Sequence, residues 1–124
     1  MVKINGVELD FSLTDPDFLR REQEAIKKKD ERIEQAPEVA SVEKDPKKYI
    51  QFLEAYTDIF KAYFDETFAP GTANKILGEH PDLEACLSAH DEFRDALLKS
   101  SVELAERMTR ISNKYAPNGA TRKE

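Results

Sequence analysis

The chain has no tryptophan, a single cysteine and two histidines among its 124 residues. One thiol, Cys86, excludes an intrachain disulfide and any zinc site built on several cysteines. It falls on the apolar side of a helical pattern, where a free cysteine behaves as a small hydrophobe. His80 and His90 lie across a helix start with no third ligand converging on them, so no metal site is expected. His80 precedes Pro81 and reads as a turn residue. His90 sits on an apolar seam and reads as a half-buried, hydrogen-bonded side chain. Glycine is also scarce: Gly71 and Gly78 are too isolated to cradle a phosphate. No apolar run approaches the ~20 residues of a membrane span. The opening Met1-Val2-Lys3-Ile4 lacks the apolar core of a signal peptide. A cytoplasmic protein without a membrane partner is the expectation.

Nor is there an activated nucleophile. Ser100-Ser101 falls mid-helix with no adjacent base, and the acidic pairs Asp65/Glu66 and Asp91/Glu92 read as carboxylates facing water. No catalytic, cofactor-binding or metal-binding residue is predicted, and the chain is read as a non-enzyme that needs no cofactor.

What the chain has in excess is charge. Charged residues make up 35% of the chain and the net charge is −6, against about 25% charged in an average globular chain. The balance gives no drive toward nucleic acid. Arg20 to Glu34 looks basic, yet its six cations face five acids, so it reads as a solvated helix face.

Local signals divide the chain into a hairpin and helices. Val2-Lys3-Ile4, Asn5-Gly6 and Val7 to Phe11 predict a β-hairpin, since both central positions of a two-residue turn need positive φ. A lone hairpin is marginal in water, so it must lie on the helices or on a neighbouring chain. Thr14-Asp15-Pro16-Asp17 opens a helix to about Gln35, whose sparse apolar positions predict packing that is loose or along one edge. Pro37 ends it, and 38–44 is a linker. Asp45-Pro46 opens an aromatic helix to about Phe68. A short helical turn follows from Thr72 to Leu77, ended by Gly78. The last helix runs from about Asp82 to Tyr115, stopped by Pro117-Asn118-Gly119. The fold class is therefore mainly α, an N-terminal hairpin (1–13) followed by three principal helices packed as a hairpin or bundle. A single domain is expected over 1–116, with a flexible tail at 117–124.

The aromatic helix carries Tyr49, Phe52, Tyr56, Phe60, Tyr63, Phe64 and Phe68 at helical spacing. The last helix continues Leu97, Leu104, Met108, Ile111 and Tyr115 on a seven-residue repeat, the spacing of a seam for a partner helix. Folding the two helices back about the Pro70–Pro81 turn would set Tyr49 near Glu103 and leave the last turns projecting. The first helix, the hairpin or another subunit must cover that overhang. A homodimer or larger ring is the expectation, with Phe64, Phe68, Leu104, Met108, Ile111 and Tyr115 as the protein-interaction residues.

Two stretches carry a resemblance. Lys3-Ile4-Asn5-Gly6-Val7-Glu8-Leu9-Asp10-Phe11, followed by a charged helix, resembles the opening of small tail assembly chaperone-like proteins from tailed phages and prophages of Gram-positive bacteria. Tyr63-Phe64-Asp65-Glu66-Thr67-Phe68-Ala69-Pro70-Gly71-Thr72, running on to Leu77-Gly78, is similar to that family's central pattern. It departs at Ala69-Pro70, where the family usually has Gly and an acid, and at Leu77, where Phe is usual. The resemblance spans about Lys3 to Ala105. It implies a small helical factor that binds a tape measure protein, keeps it soluble and helps major tail protein assemble around it. Two other classes compete. A secreted helical-hairpin protein would need a Trp-x-Gly turn, and the chain lacks tryptophan. A host-factor inhibitor acting by charge mimicry would need a dense acidic face, whereas Asp91, Glu92 and Asp95 are interleaved with Arg94 and Lys99.

Overall fold

A computed structural model describes residues 2–39 and 41–115. The predicted tail at 117–124 and the Pro117-Asn118-Gly119 stop lie outside the described residues. Strands β1 (Val2–Ile4) and β2 (Val7–Leu9) pair antiparallel with Ile4 opposite Val7 and Val2 opposite Leu9. Asn5 (φ 51°) and Gly6 (φ 81°) make the turn in the left-handed region that Asn and Gly tolerate best. Ile4 and Leu9 face inward and are buried, while Lys3 and Glu8 face water. Strand pairing ends two residues earlier than the apolar alternation implied. Phe11 leaves the ladder to stack on Phe18 at 5.3 Å and meet Phe93 edge-on at 5.8 Å.

Helix α1 (Pro16–Gln35) and helix α2 (Pro46–Thr67) both start with an Asp-Pro pair. The carboxylate of Asp15 accepts from the Asp17 amide, and that of Asp45 from the Lys48 amide. Each satisfies a backbone donor that the first helical turn would otherwise leave free. Helix α3 (Thr72–Leu77) is entered and left through glycines with φ of 93° and 81°, Gly71 and Gly78. Helix α4 (Leu83–Tyr115) completes the chain.

Two expectations about packing need correcting. Sparse apolar positions predict a first helix packed loosely or along one edge, yet among the described residues α1 makes the most extensive helix–helix interface, against α2. Ala25 is fully buried and Phe18 packs on Phe68, and polar pairs from Arg21, Glu22 and Arg32 to α2 add to these apolar contacts. The second correction concerns α4, which does not fold back along α2. Phe60 packs on His90 (5.0 Å), while Phe64 and Phe68 pack on Phe93 (6.0 and 5.3 Å), so the contacts advance in the same direction on both helices. The α3 segment first carries the chain back, so that Pro81 to Leu83 lie beside the Ile50–Lys61 side of α2. Glu103 accordingly sits next to Phe11 to Thr14 and not near Tyr49, as a simple fold-back would require.

Candidate functional site

The aromatic knuckle is spent on the fold. Phe64 is fully buried, and half-buried Phe68 packs between Phe18 (5.8 Å) and Phe93 (5.3 Å). Of these two expected interaction residues, Phe64 has no exposed surface, whereas Phe68 keeps part of its ring in water. The polar members of the same motif shape the turn. Asp65 Oδ1 accepts from the Ala73 amide at 2.8 Å, and Thr72 Oγ1 donates to the Ala69 carbonyl at 2.7 Å.

The other four predicted residues lie together, away from that core. Leu104 is half-buried beside the Phe11–Thr14 loop. Beyond it every residue from Ala105 to Tyr115 is exposed, with Met108 at 49%, Ile111 at 39% and Tyr115 at 72%. Leu97 packs against the core, and the Phe11–Thr14 segment lines a cavity with Ser100, Glu103, Leu104 and Arg107. Among the described residues nothing covers the turns beyond. This terminal rod is also basic: over 97–115, Lys99, Arg107, Arg110 and Lys114 outnumber Glu103 and Glu106, a local +2 in a chain of −6.

A buried polar belt, invisible in the sequence, ties the three long helices. Glu22 of α1, only 5% exposed, accepts from the Tyr63 hydroxyl (2.9 Å) and from Arg94 of α4 (2.6 Å). Burial, then the nearby Glu22 carboxylate, raises the Tyr63 phenol far above its ordinary range. Two turns further along α1, Lys29 Nζ donates to His90 Nε2 at 3.3 Å and lies 5.6 Å from the centre of the Tyr63 ring. Burial first, then the Lys29 and Arg94 charges, lower His90 to about 4, with Asp91 opposing. The imidazole is therefore neutral at pH 7 and free to accept from lysine. Arg32 pairs with Glu66 through two parallel bonds of 3.0 and 2.9 Å. These contacts join α1, α2 and α4 through polar side chains. Only the i, i+7 spacing of Glu22 and Lys29 on one helix face could have hinted at them.

A second surface lies at the opposite end of α4. Ile50, Glu54, Asp58, Lys61, Glu79 and Leu83 line most of an open groove of about 850 Å³ between α2 and the start of α4. Among the described residues no three His, Cys, Asp or Glu side chains are grouped to hold a metal ion, and no helix is long and apolar enough to cross a membrane.

A family model covers nearly this entire arrangement, matching residues 5–124. The chain belongs to DUF6673, a family of unknown function. The match takes in the turn of the hairpin, the knuckle and the whole of α4. No curated protein and no solved structure matches the chain.

Proposed function

We propose that this DUF6673 protein is a non-enzymatic, tail assembly chaperone-like factor that binds a tape measure protein and aids assembly of major tail protein around it. The observation that carries the reading is the bare apolar stripe of Met108, Ile111 and Tyr115 on a helix otherwise rich in charge. Large apolar side chains left in water forgo roughly 1.5–3 kcal/mol each relative to burial, which favours a partner for them. The resemblance of the opening and of the Phe64–Thr72 knuckle to tail assembly chaperone-like proteins supplies the kind of partner. The acidic body supports solubility while an apolar client is held.

The test is co-expression with the product of the long reading frame expected downstream of a major tail protein gene. Soluble client recovered with the wild-type chain, and insoluble client with Met108→Asp/Ile111→Asp, is the expected result. Client solubility that is indifferent to the chain, or a gene neighbourhood without tail genes, would overturn the proposal.

A further inference from the structure

The exposed stripe on α4 and the groove at its other end carry opposite charge. Read as a heptad, Leu104 and Ile111 alternate with Met108 and Tyr115, and the residues flanking that seam are Arg107 and Lys114 on one side, Ala105 and Ser112 on the other. Two such rods pairing with each other would find no acid at the seam to meet those cations. The groove has what they need. Glu54, Asp58 and Glu79 stand around Ile50, which is 52% exposed, and half-buried Leu53 and Leu83. Among the described residues, none of those three acids forms an ion pair, nor does Arg107 or Arg110.

The lengths agree as well. Ile50 to Lys61 spans about 16 Å of helix, and Ala105 to Tyr115 about 15 Å. Leu83 and Ala105 stand about 33 Å apart on the same continuous helix, so a rod cannot enter its own groove. We infer that the rod of one copy docks in the acidic groove of a second copy, with Arg107 and Arg110 facing Glu54 and Asp58 and with Met108 and Ile111 against Ile50 and Leu53. Such a contact is heterologous: the copy whose rod is docked keeps a free groove, and the copy whose groove is filled keeps a free rod. Repetition therefore builds a ring if the rotation closes and a filament if it does not. The inference rests on the protein-binding reading only in taking the α4 stripe as a contact surface.

Sedimentation velocity of the full chain over a concentration series tests it. The wild type self-associates, less so as salt rises from about 0.01 to about 1 M and the screening length falls from about 30 to about 3 Å. Arg107→Glu/Arg110→Glu and Glu54→Lys/Asp58→Lys each weaken association by at least about tenfold, because like charges then face each other. The chain carrying all four substitutions regains it. Circular dichroism melts establish that every variant is folded. A groove variant that associates like the wild type would overturn the contact and point to rod–rod pairing. So would a folded four-fold variant that stays monomeric, or a monomeric wild type. Association that is indifferent to the groove substitutions, with client solubilisation intact, sinks this inference alone. Association through the groove with no client held sinks the functional reading alone.

Discussion

At the scale of single residues the buried belt makes definite demands. An imidazole free in the unfolded chain titrates near 6.5, whereas His90 is held down to about 4 in the fold. Between those values the unfolded state binds the extra proton, so stability falls as pH drops through about 6.5 and levels off below about 4. The full effect is up to about 3 kcal/mol. Urea midpoints from pH 7 to pH 5 should fall for the wild type and stay flatter for His90→Gln; parallel slopes would contradict this. Glu22→Ala strands the fully buried Tyr63 hydroxyl, which costs about 1–3 kcal/mol. Arg94, 42% exposed, can still be hydrated, so Glu22→Gln should cost less than Glu22→Ala. Equal losses for the two variants in urea would show that the charge pair, not the hydroxyl, dominates. This belt was not legible in the sequence. Glu22 stands among Arg20, Arg21 and Glu24, and nothing local separates a buried carboxylate from its solvated neighbours.

Among the elements, what was legible was local. Asn5-Gly6 marks the hairpin, and Asp15-Pro16 and Asp45-Pro46 mark two helix starts, because each signal acts through its own backbone or the next turn. How the elements meet is nonlocal. Periodicity identified Phe64 and Phe68 as belonging to an apolar face, but it cannot say whether that face meets the chain itself or a partner. The direction of α4 relative to α2 depends on the six residues of α3 and two glycines with positive φ, a combination without a hydrophobic period. Asn5 joins the two levels. Its side-chain amide donates to the Ile76 carbonyl at 2.7 Å and its backbone amide to Glu92 at 2.9 Å, pinning the hairpin to α3 and α4. Asn5→Ala should cost about 2 kcal/mol, from left-handed backbone strain and a stranded carbonyl. Asn5→Gly should recover the backbone share only. If both variants melt with the wild type, the hairpin is not held by this residue.

For the whole molecule, the account turns on the uncovered end of α4. The seven-residue repeat made Met108, Ile111 and Tyr115 legible as a stripe, and they remain exposed once the chain has folded. These side chains contribute little to the core, so changing them should spare the fold and remove only what it binds. The most direct measurement is sedimentation velocity on the wild type and on Met108→Asp/Ile111→Asp, with thermal melts alongside. The expected result is concentration-dependent association of the wild type and a monomeric double variant of unchanged helicity, melting within a few degrees of the dissociated wild type. A wild type that sediments as a monomer at high concentration, or a double variant that unfolds, would contradict the account.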